Sequence, residues 1–251
     1  MACLIIKREH KTFMKKIAHR GISAQAPENT RAAFEKMVAL NVEWLETDID
    51  MTSDGELILI HDDKVDRVSN GSGSVNDMTL IELQKLDFGR WFSEAYANER
   101  IVTLKWLIDF INHYQFNVNF ELKTALKSDK QHAYLTSVCQ ALRQVSSKVE
   151  IIVSSFDMTL LQKFHLLMPS IQLGVLIEAQ LPDNIVEIAK NIGATYVHPD
   201  VTFLTKEQTH KLIDNHLQVN VWTVNDMIVA EKLEKWRVEA IFTDFPEVKA
   251  I

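Results

Sequence analysis

The sequence predicts an α/β fold: a (β/α)8 TIM-type barrel with a small insertion after its second barrel strand. Three observations lead there. Short apolar runs alternate with longer amphipathic segments along the 251 residues. One pair of extended runs lies too close in sequence to be parallel. Setting its return strand aside leaves eight βα units, the number a closed barrel requires. A doubly wound open sheet shows the same alternation and stands as the alternative, because periodicity does not specify closure.

In chain order, the chain starts MACLIIKREHKTFM (residues 1–14), and its first dozen residues read as an extension ahead of the first strand. Their apolar run of about four residues is shorter than the roughly 7–15 of a secretory leader, so the expected location is the cytoplasm. Residues 15–21 (KKIAHRG) read as a strand passing into a loop. Residues 29–40 read as a helix, because Ala33, Phe34, Met37 and Leu40 recur at helical spacing. Asn29 or Thr30 suits its N-cap. Residues 43–52 (EWLETDIDMT) alternate and read as a strand, and residues 56–61 form a second extended run. Only Ser53, Asp54, Gly55 and Glu56 lie at their junction. A parallel pair needs a crossover of about a dozen residues, so these two runs form a hairpin. Further strands fall at 117–123, 150–156, 172–177, 194–198, 218–224 and 240–243. Helical stretches between them include 132–145, 159–168, 184–191, 206–215 and 229–236.

Residues 62–100 break the rhythm. They hold an NGSGS turn at 70–74, a short helix at 79–86, and the aromatic residues Phe88, Trp91, Phe92 and Tyr96. This segment reads as a cap near the barrel mouth, with residues 1–251 forming a single domain. The 47% apolar and 24% charged fractions are ordinary for a globular protein. A net charge of −7 argues against a nucleic-acid binder, which needs a basic face; a small anionic substrate needs only a local pair of cations. No run approaches the roughly 20 apolar residues of a membrane span. Cys3 and Cys139 are the only cysteines, too few for a disulfide scaffold and without metal-ligand spacing. No sequence feature specifies an oligomeric state.

Barrel enzymes carry their chemistry at the C-terminal ends of the strands. The first strand ends in His19 and Arg20. The second carries Glu46 and Asp48 on one face, and the third carries Glu121 and Lys123 on one face. A hairpin turn centred between Asp54 and Gly55 sets residue 48 opposite residue 61, bringing His61 to the same pole. Three inward carboxylates cannot all ionise at close range without an offsetting cation. One hard divalent ion, Mg²⁺ or Ca²⁺, suits such oxygen ligands better than zinc. Two imidazoles suit a general acid and a general base, and Arg20 and Lys123 suit a phosphate. Each residue has a plainer reading: a hydrogen-bonded structural histidine, a loop-capping acid, an isolated ion pair. Agreement across three strands favours the functional one. Trp222 either lines the mouth or packs, His198 reads as a rim residue, and the remaining histidines are background.

The strings IAHRGISAQAPENT, ETDIDMTSDGELILIHDDKVDR, NFELK, WTVN and FTDFP closely resemble the glycerophosphodiester phosphodiesterase family, from Ile17 to Pro246. The resemblance implies a phospholipase-C-like barrel that hydrolyses a small glycerophosphodiester to glycerol 3-phosphate and an alcohol. It implies His19 and His61 as the acid/base pair and Glu46, Asp48 and Glu121 as metal ligands. Arg20 matches the phosphate-contacting arginine, Lys123 a lysine near the substrate, and Trp222 the aromatic of a late-strand motif. One departure is Val102 before Thr103, where the family often has proline; it touches no chemistry. Two rivals remain: a lysophospholipase D using the insertion's aromatic residues for an acyl chain, and a catalytically inactive binding barrel.

Overall fold

Each of the eight barrel strands finds a parallel neighbour on both sides, so the parallel ring closes on itself. The computed structural model describes residues 14–123 and 128–246. The predicted extension, with Cys3 and His10, lies outside the described residues. The elements run β1 (Lys15–His19), α1 (Arg31–Ala39), β2 (Trp44–Met51), β3 (Leu57–Leu59), α2 (Leu80–Leu83), β4 (Val102–Thr103) and α3 (Leu104–Tyr114). They continue β5 (Asn117–Leu122), α4 (Ser128–Leu142), β6 (Ile151–Ser155), α5 (Met158–Leu167), β7 (Gln172–Ile177) and α6 (Ile185–Ile192). Last come β8 (Tyr196–Pro199), α7 (Lys206–Asp214), β9 (Gln218–Val221), α8 (Met227–Lys235) and β10 (Ala240–Thr243). The parallel ring is β1-β2-β5-β6-β7-β8-β9-β10, and β10 pairs back to β1. That last pairing excludes the open sheet.

β2 shares one edge between two partners. Its first half pairs with β1 (Ile17↔Trp44, His19↔Glu46), and its second half pairs antiparallel with β3 (Ile49↔Leu59, Met51↔Leu57). The predicted hairpin exists, but its register differs by one residue from the expectation. Thr52 N donates to Glu56 O at 3.0 Å, which closes a loop of three residues rather than an even number. Ile60 N donates to Asp48 O at 3.2 Å, so residue 60, not His61, lies opposite Asp48. An odd loop shifts every pairing by one. His61 therefore reaches the mouth from the loop beyond β3, not from a strand position facing Asp48.

Alternation sorts each barrel strand into two faces. Leu45, Ile49, Val118, Phe120, Val153, Val175, Val197, Val219 and Ile241 join the helices in one apolar layer. Ile17, Trp44, Ile152, Tyr196, Ala240 and Phe242 form a separate apolar cluster inside the barrel. This is why every residue of β2 is buried. Towards the C-terminal mouth the interior turns polar, with Asn119, Ser154, His198 and Asn220 all buried. Asn119 Nδ2 donates to Ser154 Oγ at 2.8 Å, and Asn220 Nδ2 approaches His198 Nε2 at 3.3 Å. His198 is thus a core residue and not the expected rim residue. Its neighbour in the barrel is Gly174, where a Cβ would overlap the imidazole.

The insertion has its own small core of Val65, Val68, Val75, Leu83 and Phe88, seated on Ile58 and Ile60. Its short helix α2 is closed by a Thr79–Glu82 capping box. Helix α3, which is not among the helices expected from the periodicity, buries Leu104, Leu107, Ile108 and Ile111. Trp106 and Phe110 pack beside that buried stripe, and Lys105 and Asp109 pair on the exposed side.

Burial alone pushes the His198 imidazole down from its ordinary 6.5 to about 3, and its Nδ1 has no hydrogen-bond partner. A depressed histidine pKa means that the unfolded chain takes the proton first. The neutral ring's contribution is therefore complete above about pH 6.5 and shrinks as pH falls towards 3. Urea unfolding of wild type and His198→Asn tests this. Their stability difference is expected to move in the variant's favour by up to about 1.4 kcal/mol per pH unit below 6.5. A pH-independent difference would contradict the assignment.

Candidate active site

β1 ends in a sharp backbone turn. Arg20 has φ 59° and Gly21 φ 87°, and a Cβ on Gly21 would stand 2.7 Å from the Ala33 Cβ. Only glycine meets both conditions. The turn aims Arg20 N at β2, where it donates to Glu46 O at 2.9 Å and to Glu46 Oε2 at 3.1 Å.

Glu46 and Asp48 on β2 meet Glu121 on β5, since Asp48 and Glu121 are register partners. One oxygen from each carboxylate lies within 4.8 Å of the others, and all three residues are buried. Burial, then Asp48 and Glu121, push the Glu46 carboxyl well above the usual range. Burial and Asp48 push Glu121 up to about 7. Asp48 differs. Burial opposes its charge, but Arg20, Lys123, His61 and the Asn29 hydrogen bond outweigh that and hold it at about 2. Lys123 Nζ lies 2.9 Å from Glu121 Oε1 and 3.6 Å from Asp48 Oδ1, and Arg20 Nε lies 3.6 Å from Asp48 Oδ2. Asp48 Oδ1 is buried and accepts no hydrogen bond. Three hard oxygen donors with one buried orphan oxygen fit a divalent cation.

Both histidines carry a carboxylate on Nδ1. His19 Nδ1 lies 2.8 Å from Asp244 Oδ1, and His61 Nδ1 lies 2.7 Å from Asp62 Oδ1. Such a bond places the proton on Nδ1 and leaves Nε2 to exchange protons. Neither Nε2 has a hydrogen-bond partner among the described residues. Asp244 is itself held by Ser23 Oγ at 2.9 Å and by Asn225 Nδ2 at 2.6 Å. Burial raises the Asp244 carboxyl, but these bonds and His19 bring it down to about 2. The Arg67 and His61 bonds hold Asp62 far below the usual carboxylate range. Burial lowers the His61 ring, and the Asp48 charge offsets only part of that.

His19, Arg20, Glu46, His61 and Glu121 line one pocket at the C-terminal mouth. The facing wall is apolar: Phe156, Leu176, Trp222 and Phe242. Trp222 Nε1 donates to His198 O at 2.8 Å, and its ring meets Phe156 edge-on at 5.7 Å. The insertion's Phe88, Trp91, Phe92 and Tyr96 do not line this pocket; its apolar wall comes from β6, β7, β9 and β10. Lys123 stands behind Glu121.

Several residues of this centre have no part in the chemistry expected from sequence, where Asn29 and Thr30 stand only as alternative N-caps. Thr30 is the N-cap of α1, with its hydroxyl accepting from Ala33 N. Asn29 has left-handed φ 55° instead, and its side chain bridges Thr47 Oγ1 and Asp48 Oδ2. Glu28, Asp62 and Asp244 complete the set. All sit inside the strings quoted above, ENT, HDD and FTDFP, so the motif strings were the available signal.

The fold and the contents of the mouth define the class first: a β/α-barrel enzyme. The model of the glycerophosphoryl diester phosphodiesterase family matches residues 19–248, and the chain belongs to that family. The Bacillus subtilis protein YhdW is 39% identical over 234 residues, covering 92% of this chain and 94% of its own. A glycerophosphodiester phosphodiesterase of Caldanaerobacter subterraneus is 34% identical over 231 residues, covering 92% and 94%. The solved structure of an Oleispira antarctica phosphodiesterase, in complex with its product sn-glycerol 3-phosphate, has a TM-score of 0.89 to this fold. It is 29% identical and covers 94% of both chains.

The acidic cluster makes a prediction that needs no turnover. Glu121 keeps its proton below about pH 7, so a cation must displace it, and affinity rises with pH up to that point. Mg²⁺ or Ca²⁺ at about a hundredfold excess over Kd is expected to raise the Tm of metal-stripped protein by about 5 °C or more at pH 8. The increase is smaller at pH 6 and absent in Glu121→Gln. Scanning calorimetry reads it, and an equal shift in the variant would remove Glu121 from the ligand set.

Proposed function

We propose that the enzyme hydrolyses glycerophosphodiesters, such as glycerophosphocholine or glycerophosphoethanolamine, to glycerol 3-phosphate and an alcohol, with His19 and His61 as its acid/base pair. The observation that carries this reading is two aspartate-anchored imidazoles around the pocket that also receives Glu46 and Glu121. The activity of the Caldanaerobacter relative and the product held by the Oleispira enzyme support the substrate class.

Glu46, Asp48 and Glu121 would hold one Mg²⁺ or Ca²⁺, which supplies positive charge to the phosphoryl oxygens when bound. Arg20 and Lys123 add fixed cations beside that position and favour the growing negative charge of an in-line attack. One Nε2 takes the proton of the attacking hydroxyl, from water or from the glycerol 2-hydroxyl. The other Nε2 gives a proton to the departing alkoxide. Asp244 and Asp62 keep each Nδ1 protonated, so both rings present Nε2 for exchange. The 62–100 insertion works as part of the same domain, since Tyr96 Oη donates to Gln25 O at 2.7 Å and Arg67 reaches Glu28.

His19→Ala and His61→Ala are each expected to lower kcat on glycerophosphocholine by about 10²–10⁴-fold, read as glycerol 3-phosphate release. Chelation is expected to abolish activity, and Mg²⁺ or Ca²⁺ to restore it. Near-wild-type turnover in either variant sinks the acid/base assignment.

A second reading rests on the apolar wall. Phe156, Leu176, Trp222 and Phe242 offer a surface for an acyl chain, as a lysophospholipase D requires. Rates on glycerophosphocholine and lysophosphatidylcholine separate the two readings. The deacylated substrate is expected to be faster, and Phe156→Ala is expected to change only the lyso rate.

A further inference from the structure

Arg67 belongs to the insertion and does not line the pocket, yet its guanidinium binds Asp62 and Glu28, the carboxylates that hold two residues that do, His61 and Arg20. Nε and Nη2 donate to Asp62 Oδ2 and Oδ1 at 2.6 and 2.9 Å, and Nη1 and Nη2 donate to Glu28 Oε2 and Oε1 at 2.8 and 2.7 Å. The two oxygens that share Nη2 are the ones that hold the site. Asp62 Oδ1 also binds His61 Nδ1 at 2.7 Å, and Glu28 Oε1 also accepts from Arg20 Nη1 at 2.9 Å. The result is one unbroken chain, His61–Asp62–Arg67–Glu28–Arg20, with Arg67 at its centre. Its ring contact with Trp91, 6.0 Å away, steadies the guanidinium from the insertion side.

We propose that Arg67 is a positioning residue of this enzyme: acting through Asp62 and Glu28, it fixes the His61 imidazole and the Arg20 guanidinium relative to each other. The proposal rests on the acid/base reading of His61. A side chain with one hydrogen bond can swing about it; a carboxylate held at both oxygens by a planar fork cannot. Asp62 is held in that way, so the direction of His61 Nε2 is set by a residue of the insertion. Lysine cannot take over the task, because a single ammonium does not present the parallel donors that two carboxylates require. An exposed ion pair serving only as a tether contributes little to stability and nothing to turnover. The two roles therefore differ in what they move.

The test uses the full chain with glycerophosphocholine, comparing Arg67→Ala, Arg67→Lys and His61→Ala. Arg67→Ala is expected to lose about 10–100-fold in kcat, the scale of a misplaced catalytic group. Arg67→Lys keeps the fold, seen by circular dichroism, and stays low in kcat. Free guanidinium at millimolar concentration partly rescues Arg67→Ala and leaves His61→Ala inactive. Imidazole ¹⁵N spectra are expected to show His61 as the Nδ1–H tautomer in wild type and as a mixture of tautomers in both Arg67 variants. Full turnover in Arg67→Lys, or an unchanged His61 tautomer, overturns the positioning role. An active His61→Ala overturns the acid/base reading beneath it, so the two failures are distinct.

Discussion

Three buried carboxylates on two adjacent strands set the terms for the rest of the mouth. At separations of up to 4.8 Å, each ionised pair repels by on the order of 3–4 kcal/mol at an effective dielectric of about 20. β2 and β5 cannot avoid this, because their register sets Asp48 beside Glu121 and the two-residue period sets Glu46 on the same face. Arg20 and Lys123 answer part of the charge, and both are themselves largely buried. Burial opposes each cation's charge, and the neighbouring acids outweigh that and keep both protonated. Two cations against three acids leave the cluster short of positive charge. That deficit is one a divalent ion could make good, and it helps to push the Glu46 and Glu121 carboxyls towards their protonated forms.

The two imidazoles are anchored in opposite ways. Asp62 follows His61 directly, so that pair forms within one loop. Asp244 lies 225 residues from His19 and meets it only because β10 closes the ring against β1. The neighbouring β9–β10 pairing brings Asn225 to Asp244, where it accepts from Thr243 Oγ1 and from the Asp244 backbone while donating to its carboxylate. The WTVN and FTDFP strings are thus two halves of one clamp behind His19. Barrel closure and site assembly are the same event at this seam.

Below the charged mouth, the interior passes through a polar layer before it becomes apolar. His198 occupies this layer as a neutral ring. Gly174 gives up its side chain so that the imidazole fits, and Trp222 hangs from the His198 carbonyl. The wall of the pocket is therefore tied to the barrel core rather than to a mobile loop, as a preformed apolar surface requires.

Much of this was legible in the sequence. Alternation over residues 43–52, the short hairpin junction and the repeat of runs determined the element order and the eight barrel strands, because those signals are local. Inward parity of Glu46, Asp48 and Glu121 follows from the same period of two. Tertiary structure decided what local signals cannot carry. The hairpin register turned on a loop of odd rather than even length. His198 reads as a rim residue until Gly174 on the neighbouring strand opens the space beside it. Asn29 looks like a cap until Thr30 takes that role and Asn29 turns to Asp48. The aspartates behind the histidines, and the arginine between Asp62 and Glu28, have meaning only after distant segments meet. Period and spacing specify which face a residue takes; only closure of the chain specifies its neighbour.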